Sequence, residues 1–336
     1  MGVRVLKSGI MTTVQDLGRT GYQSQGFSVS GVMDVRSFKI ANLLLDNPEN
    51  EAVIEFTLMG PTLEFTSETI IAITGGDFQP HVNGNPVKMY TAIYMKKGDI
   101  LSFKGCRSGS RGYIAFSSYL DIPVVMGSRS TNLKCGIGGF KGRRLMDGDL
   151  IMFRIKRRYL PYFLSRSLDL DEFSSDEVTL RVVMGPQKSK FTKEGIETFL
   201  NSEYTVTSEF DRMGCRLEGP FIAYKDTSDI ISDGIAFGAV QVPSHGKPII
   251  LLADRQTTGG YAKIANVISV DIPKLAQCRT DQKIRFKQVT VDAAQKLMLK
   301  EEKEFSSFRE KIYTPCKEVL ECRLVAKRIG KLFADK

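Results

Sequence analysis

Between Ala52 and Arg154 the chain breaks into apolar runs of strand length: VIEFTLMGPTLEF, TIIAITGG, PVKMYTAIYM, DILSFKG, GYIAFSS and DLIMF. β-Branched and aromatic residues fill these runs, and most of the separators between them are short and rich in turn residues. A doubly wound α/β sheet needs a helical crossover of about a dozen residues after each parallel strand. Short strands joined by turns instead give a barrel or a sandwich. His81-Val82-Asn83-Gly84-Asn85 supplies one hairpin, because Asn-Gly accepts the positive φ angles of a tight turn.

The pattern resumes at Val178–Val183 and continues through EYTVTSEFDRMGCRLEGP, the run from Ile249 to Ala253, VISVDIP and KIRF. Few segments read as helix. Val35 to Leu45 does, with Phe38, Ala41, Leu44 and Leu45 facing inward and Asp34 as its N-cap. Phe191 to Leu200 is a second. Residues 156–177 mix charges, serines and a proline and read as a connection. The expected layout is therefore 1–155 and 178–290 as β domains, 156–177 as linker and 291–336 as a helical tail. The halves echo each other weakly in order: Gly60-Pro61 with Gly219-Pro220, and Asp121-Ile122-Pro123 with Asp271-Ile272-Pro273. In the tail, Val291, Ala294, Leu297, Met298, Phe305, Phe308 and Ile312 recur at helical spacing. Thr314-Pro315 then opens a second helix.

Charge and cysteine usage narrow the function. Lys+Arg total 47 against 38 Asp+Glu, a net charge of +9. The basic residues are scattered, apart from Lys156-Arg157-Arg158 and the final segment, so a nucleic-acid surface is not expected. The cysteines show no CxxC spacing, and only His81 and His245 are present, which speaks against zinc or a multi-histidine metal site. There is no signal-peptide pattern and no apolar run of membrane-spanning length. A cytoplasmic protein without membrane partners is the expectation.

One stretch joins a buried-strand pattern to a crowd of polar groups. Ile249 to Ala253 is apolar, and Asp254, Arg255, Gln256, Thr257 and Thr258 follow it, then Gly259-Gly260, Tyr261 and Lys263. Rigid support followed by polar side chains suits a binding site, although a polar turn has the same pattern. Ser128-Arg129-Ser130-Thr131 suits a carboxylate or phosphate, or a turn held by its own hydroxyls. Asp211-Arg212 reads as an ion pair fixing a turn, and His245 as a solvent-facing turn residue. Gly136-Ile137-Gly138-Gly139-Phe140-Lys141-Gly142 is neither G-x-G-x-x-G nor a P-loop. A Gly-x-Ser-x-Gly nucleophile elbow is absent.

QDLGRTGYQSQGFSVSGVMD, GSRSTNLKCGIGGFKGR, TVTSEFDRMGCRLEGP and GAVQVPSHGKPIILLADRQTTGGYAKIANVISVDIPKLAQ together resemble the KipA family. It is also called the allophanate-hydrolase-subunit-2 or biotin-dependent carboxyltransferase family, and it includes the C-type subunit of 5-oxoprolinase. The resemblance runs from the N-terminus to about Phe286. It implies a mainly β fold of two cyclophilin-like β-barrel domains, here with a short helical C-terminal extension. It also implies two partners, a KipI-like B-type subunit and a LamB/YcsF-like A-type subunit, and ATP as a cofactor of the complex. Tyr94-Met95-Lys96-Lys97 is not a biotinylation site, so no covalent biotin is expected on this chain. Ser117-Ser118 replaces glycines usual in the family, which puts the local backbone, and with it the substrate, in question.

The resemblance implies opening of 5-oxoproline, a cyclic amide, to glutamate. A lactam is a poor electrophile, so the site must activate it and stabilise charge on oxygen. On that expectation Asp34, Asp254 and Arg255 are the candidate catalytic residues. Gln15, Asp16, Arg19, Ser128, Arg129, Gln241, Gln256, Thr257, Thr258, Tyr261 and Lys263 are the candidate substrate-binding residues. Arg19, Arg129 and Arg255 suit anion clamps, because guanidinium forks match carboxylates. Two other readings stay open: the carboxyltransferase component of a biotin-dependent urea or amide carboxylase, and a non-enzymatic antagonist of a kinase inhibitor.

Overall fold

The computed structural model describes residues 1–170, 173, 177–315 and 326. The first half contains β1 (Gly2–Lys7), β2 (Met11–Gln15), α1 (Val35–Leu44), β3 (Val53–Thr57), β4 (Thr62–Phe65) and β5 (Thr69–Asp77). It continues with β6 (Pro80–Val82), β7 (Asn85–Pro86), β8 (Ala92–Met95), β9 (Ile100–Phe103), β10 (Ser108–Phe116) and β11 (Leu150–Met152). These strands form two antiparallel sheets, ordered β11-β1-β4-β9-β6-β7 and β2-β3-β10-β5-β8. Asn83 and Gly84 have φ of +51° and +81° in the β6–β7 turn, as the Asn-Gly signal requires.

The two sheets differ in how they are covered. In β5, Ile71 and Ile73 face the core between the sheets, while Ile70 and Ala72 face α1. In β10, Ile114 and Phe116 likewise face the sheet core, and Tyr113 and Ala115 face α1. A sheet buried on both faces explains the unbroken apolar runs at these strands. In β1, by contrast, Val3 and Val5 are buried while Arg4 and Leu6 are exposed, the alternation of a sheet wetted on one side.

The second half contains β12 (Glu177–Met184), α2 (Lys193–Asn201), β13 (Glu203–Phe210), β14 (Gly214–Glu218), β15 (Asp229–Gly234) and β16 (Ala239–Gln241). Then come β17 (Ile249–Leu251), β18 (Thr258–Tyr261), β19 (Lys263–Val267), α3 (Ile272–Ala276), β20 (Lys283–Gln288) and α4 (Val291–Tyr313). Seven strands close a barrel in the order β12-β19-β16-β17-β14-β13-β20, with β12 and β20 parallel at the closure. α2 covers it, with Phe199 stacked on Phe286 at 4.4 Å. β15 and β18, separated along the chain by β16 and β17, pair outside the barrel as a two-stranded antiparallel ribbon.

Several expectations need correction. VISVDIP is not a strand: β19 ends at Val267, and Asp271-Ile272-Pro273 opens α3, with proline in its first turn where no amide hydrogen bond is needed. Gly259-Gly260 is not a turn but the middle of β18. One echoed pair falls on unlike elements: Asp271-Ile272-Pro273 opens α3, while Asp121-Ile122-Pro123 lies outside any helix. The tail helix forms, and Phe305, Phe308, Ile312 and Tyr313 reach the α1 core, while Val291 and Met298 stay exposed. Arg36 of α1 lies against the Phe305 and Phe308 rings and pairs with Glu304 at 3.1 Å. Thr314 instead ends α4 as its C-cap, with Oγ1 donating to Glu310 O at 2.9 Å, and beyond Pro315 the expected second tail helix lies outside the described residues, save Ala326.

Ser117 and Ser118 show what replaces the glycines. Ser117 Oγ accepts from Ile70 N at 3.0 Å and donates to Arg157 O at 2.8 Å. Ser118 Oγ accepts from Thr69 Oγ1 and from Arg157 N. The hydroxyls therefore fasten the segment after β11 to the sheet. That segment also buries Leu160, Arg166 and Leu168.

Candidate functional site

Asp16, one residue beyond β2, is buried and organises the loop at Ser128. Its carboxylate accepts from Ser128 Oγ at 2.6 Å, Ser130 Oγ at 2.5 Å, Arg129 N at 2.6 Å and Gly18 N at 2.8 Å. The hydroxyl cluster thus does hold a carboxylate, but one from its own chain. The Arg129 side chain is half-buried and donates from Nε to Ile122 O at 3.1 Å. Gln15 is buried, with Nε2 on Thr13 Oγ1 and Thr131 O. Arg19 is fully buried and donates from Nη2 to Ser130 O.

The segment after Arg19 docks on the barrel. Arg19 N bonds to Val29 O, Ser30 N to Ala253 O, and Ser28 Oγ to Arg255 O at 2.7 Å. Met33 inserts into the barrel's own core. At this seam Arg212 reaches three acceptors at once: Asp254 at 2.8 Å from Nε, Glu55 of β3 from Nη1, and Gly31 O at 2.5 Å from Nη2. Burial alone would lower the guanidinium's pKa, but Asp254 and Glu55 outweigh it and raise it above the ordinary arginine value. Asp211 does not pair with Arg212; it accepts from Met213 N and Gly214 N in the turn.

A second tie crosses the seam. Asp34 caps α1, accepting from Ser37 N at 2.9 Å and Ser37 Oγ at 2.6 Å. Its Oδ2 also accepts from Gln277 Nε2 at 2.8 Å, just past α3. Gln277 Oε1 in turn accepts from Ser110 N and Arg111 N, both at 2.9 Å. Asp34 N bonds to Tyr113 Oη at 2.9 Å, and burial raises that phenol's pKa well above its usual value. Glu55 and Gln277 were missed in the sequence. A carboxylate inside the apolar run VIEFT was a signal for Glu55; Gln277 had none.

Arg255 is buried, with Nε on Ile235 O at 3.0 Å, Nη1 on Leu252 O at 3.2 Å and its guanidinium 5.5 Å from the Phe237 ring centre. Gln256, Thr258 and Tyr261 are exposed on or beside the β15–β18 ribbon, and Thr257 is half-buried. Beneath them Lys263 is buried and reaches Asp233 at 3.0 Å, while Gln241 Nε2 contacts Tyr261 O at 3.4 Å. Gln187 Nε2 also donates to Asp233 at 3.2 Å. The sequence-predicted residues therefore fall into three groups: the Asp16 loop with Gln15, Arg19 and Arg129; the seam with Asp34, Asp254 and Arg255; and the β15–β18 ribbon face. The first two join through Ser28–Ser30.

A separate cleft of about 650 Å³ is lined by Asp77, His81, Lys88, Lys104 and Arg107 among others. None of the sequence-predicted site residues lines it. His245 is exposed, as expected. The Gly136–Gly142 segment does not fit a triphosphate: it leads into β11 rather than a helix, and Gly138 and Gly139 press directly on Ser130, Arg19 and Thr131.

Residues 25–288 match the family model described as carboxyltransferase domain, subdomain A and B. The 5-oxoprolinase C-type subunit of Escherichia coli is 34% identical over 315 residues, covering 93% of this chain and 99% of that protein. The 5-oxoprolinase C-type subunit of Haemophilus influenzae is 36% identical over 290 residues, 86% of this chain and 92% of that protein. The crystal structure of Kluyveromyces lactis urea carboxylase superposes with a TM-score of 0.85 at 29% identity, over 94% of this chain and 30% of that one.

Proposed function

We propose, from the premise that this chain belongs to the carboxyltransferase-domain family, that it is the C-type subunit of an ATP-dependent 5-oxoprolinase. The observation that carries this reading is the 34% identity to a bacterial C-type subunit across 93% of the chain and 99% of that protein. In this reading the chain works in the cytoplasm with a KipI-like B-type subunit and a LamB/YcsF-like A-type subunit, and contributes one wall of the site. ATP would supply a phosphoryl group to the lactam oxygen, leaving ADP, and attack of water on that carbon would break the ring C–N bond and release phosphate, giving glutamate. Because the Gly136–Gly142 segment does not fit a triphosphate, no step is assigned to this chain through ATP.

What this chain supplies is position and charge. Asp34 and Asp254 are positioning residues, since both spend their oxygens on the seam. Arg255 fixes the backbone from which Gln256, Thr257 and Thr258 project. Those groups, with Tyr261, Gln241 and Lys263, offer donors and acceptors to a cyclic amide. The test is reconstitution: the three proteins together release glutamate from 5-oxoproline and hydrolyse ATP, and this chain alone does not. A mixture that makes no glutamate overturns the reading.

The likeness to urea carboxylase favours a second reading, carboxyl transfer from a biotin carried on another chain to urea or a related amide. Amide-dependent consumption of carboxybiotin, without glutamate release, would select it.

A further inference from the structure

Among the described residues five arginines are buried: Arg19, Arg111, Arg166, Arg212 and Arg255. A buried guanidinium needs a carboxylate or an aromatic face to offset lost hydration. Arg212 has Glu55 and Asp254. Arg111 lies 4.6 Å from the Phe210 ring centre, Arg166 5.2 Å from that of Tyr313, and Arg255 5.5 Å from that of Phe237. Arg19 has neither: among the described residues no carboxylate reaches it within ion-pair distance and no ring lies under it. Its Nε and Nη1 are buried without any hydrogen-bond partner.

The acids nearest in the electrostatic sense are already committed. Asp16 accepts four hydrogen bonds from the Gly18 amide and the Ser128–Ser130 loop, and Asp254 is held by Arg212. Burial accordingly lowers the Arg19 pKa, with Asp16 and Asp254 opposing only in part. The neighbouring orphan has the opposite polarity: Gln15 Oε1 is a buried acceptor without a donor. Over Arg19 lies the Gly136–Gly142 segment. A side chain at Gly138 would strike the Arg19 guanidinium and Ser130 O, and one at Gly139 would strike Thr131. The cover is thin backbone, and exposed Cys135 sits at its edge.

We propose that Arg19 is an anion site whose counter-ion is the substrate's carboxylate, reached when the Gly136–Gly142 segment lifts. The inference rests on the 5-oxoprolinase reading, whose substrate carries one carboxylate beside its lactam N–H. Arg19 meets that carboxylate through one of its two orphaned groups, Nε or Nη1, which sit on different edges of the guanidinium, and keeps Nη2 on Ser130 O.

Two measurements on the assembled three-protein complex test it. The first is equilibrium binding of 5-oxoproline and of 2-pyrrolidinone, the same ring without the carboxylate. Wild type binds 5-oxoproline more tightly, and Arg19→Gln loses roughly 10–100-fold for 5-oxoproline but nothing for 2-pyrrolidinone. Arg19→Lys recovers part of the loss. Equal affinity of wild type for the two rings, no binding of 5-oxoproline, or undiminished binding by a folded Arg19→Gln overturns the proposal. The second needs no variant: alkylation of Cys135, read by peptide mass, changes several-fold with 5-oxoproline and not with 2-pyrrolidinone. An unchanged rate also overturns it. Glutamate release by wild type separates the two ideas. Glutamate with Arg19-independent binding sinks only the anion site; Arg19-dependent binding without glutamate sinks only the 5-oxoprolinase reading.

Discussion

Arg212 at the seam and Lys263 beneath the β15–β18 ribbon are both buried cations held by acids, yet their acids differ. Glu55 and Asp254 are themselves buried, at 3% and 7% exposure. The Asp233 side chain is 54% exposed, so its pair with Lys263 is wetted on one side. A pair sealed on both sides cannot lose one member without leaving charge in a low-dielectric interior. Loss of Lys263 from the second pair leaves Asp233 in water, where solvent takes the partner's place. The seam is therefore a device for holding two β units together, and the β15–β18 ribbon is where polar groups remain available.

The variant that strains this contrast most is Arg212→Met. It strands Glu55 and Asp254 and is expected to cost about 3–5 kcal/mol. Chemical denaturation should show it as a large fall in midpoint; a change under about 1 kcal/mol would mean that the seam carries little. Asp34→Ala comes next. It removes the α1 cap and the acceptor for Gln277, together about 2 kcal/mol by the same measurement.

A pH series probes the same contrast from the barrel side. Asp271 is buried, which alone would raise its pKa, but Arg181 and Lys274 outweigh burial and hold it below the ordinary aspartate range. A depressed folded value means its contribution is present above the unfolded pKa of about 3.9 and lost as pH falls through the lower folded value. The stability gap between wild type and Asp271→Asn should be constant from about pH 5 to 7 and shrink below about pH 4. A gap that widens with acid would reverse the assignment. The smallest stability effect is expected at Thr258→Ala and Tyr261→Ala, within about 0.5 kcal/mol, because both side chains are exposed. In the assembled complex these same changes should raise KM for the amide. If they instead unfold the chain, the ribbon belongs with the seam.

Much of the fold was legible because β-strands advertise themselves locally. The runs from Ala52 to Phe153, the Asn83-Gly84 turn, the α1 helix and its Asp34 cap all follow from side-chain size, branching and nearest-neighbour hydrogen bonding. The site was legible only as residue types. Asp34 and Ser128-Arg129-Ser130 each had two readings in the sequence, and only coordinates showed Asp34 bonded to Gln277 and the serines wrapped around Asp16. Asp211-Arg212 misled because adjacent side chains point apart while the partner stands 42 residues on, at Asp254.

Residue order was enough to specify a mainly β chain with a helical tail, and its long motifs marked the family. Local chemistry suffices for that, since strand, turn and cap preferences act over a few residues. Which charges are paired was settled by packing in three dimensions. Arg212 finds two carboxylates and Arg19 none because the seam brings together β3, the Ser28–Met33 segment and the turn at Asp254, which lie far apart along the chain. Coulomb energy and desolvation depend on distance through space and on water exclusion, and neither is written in residue order.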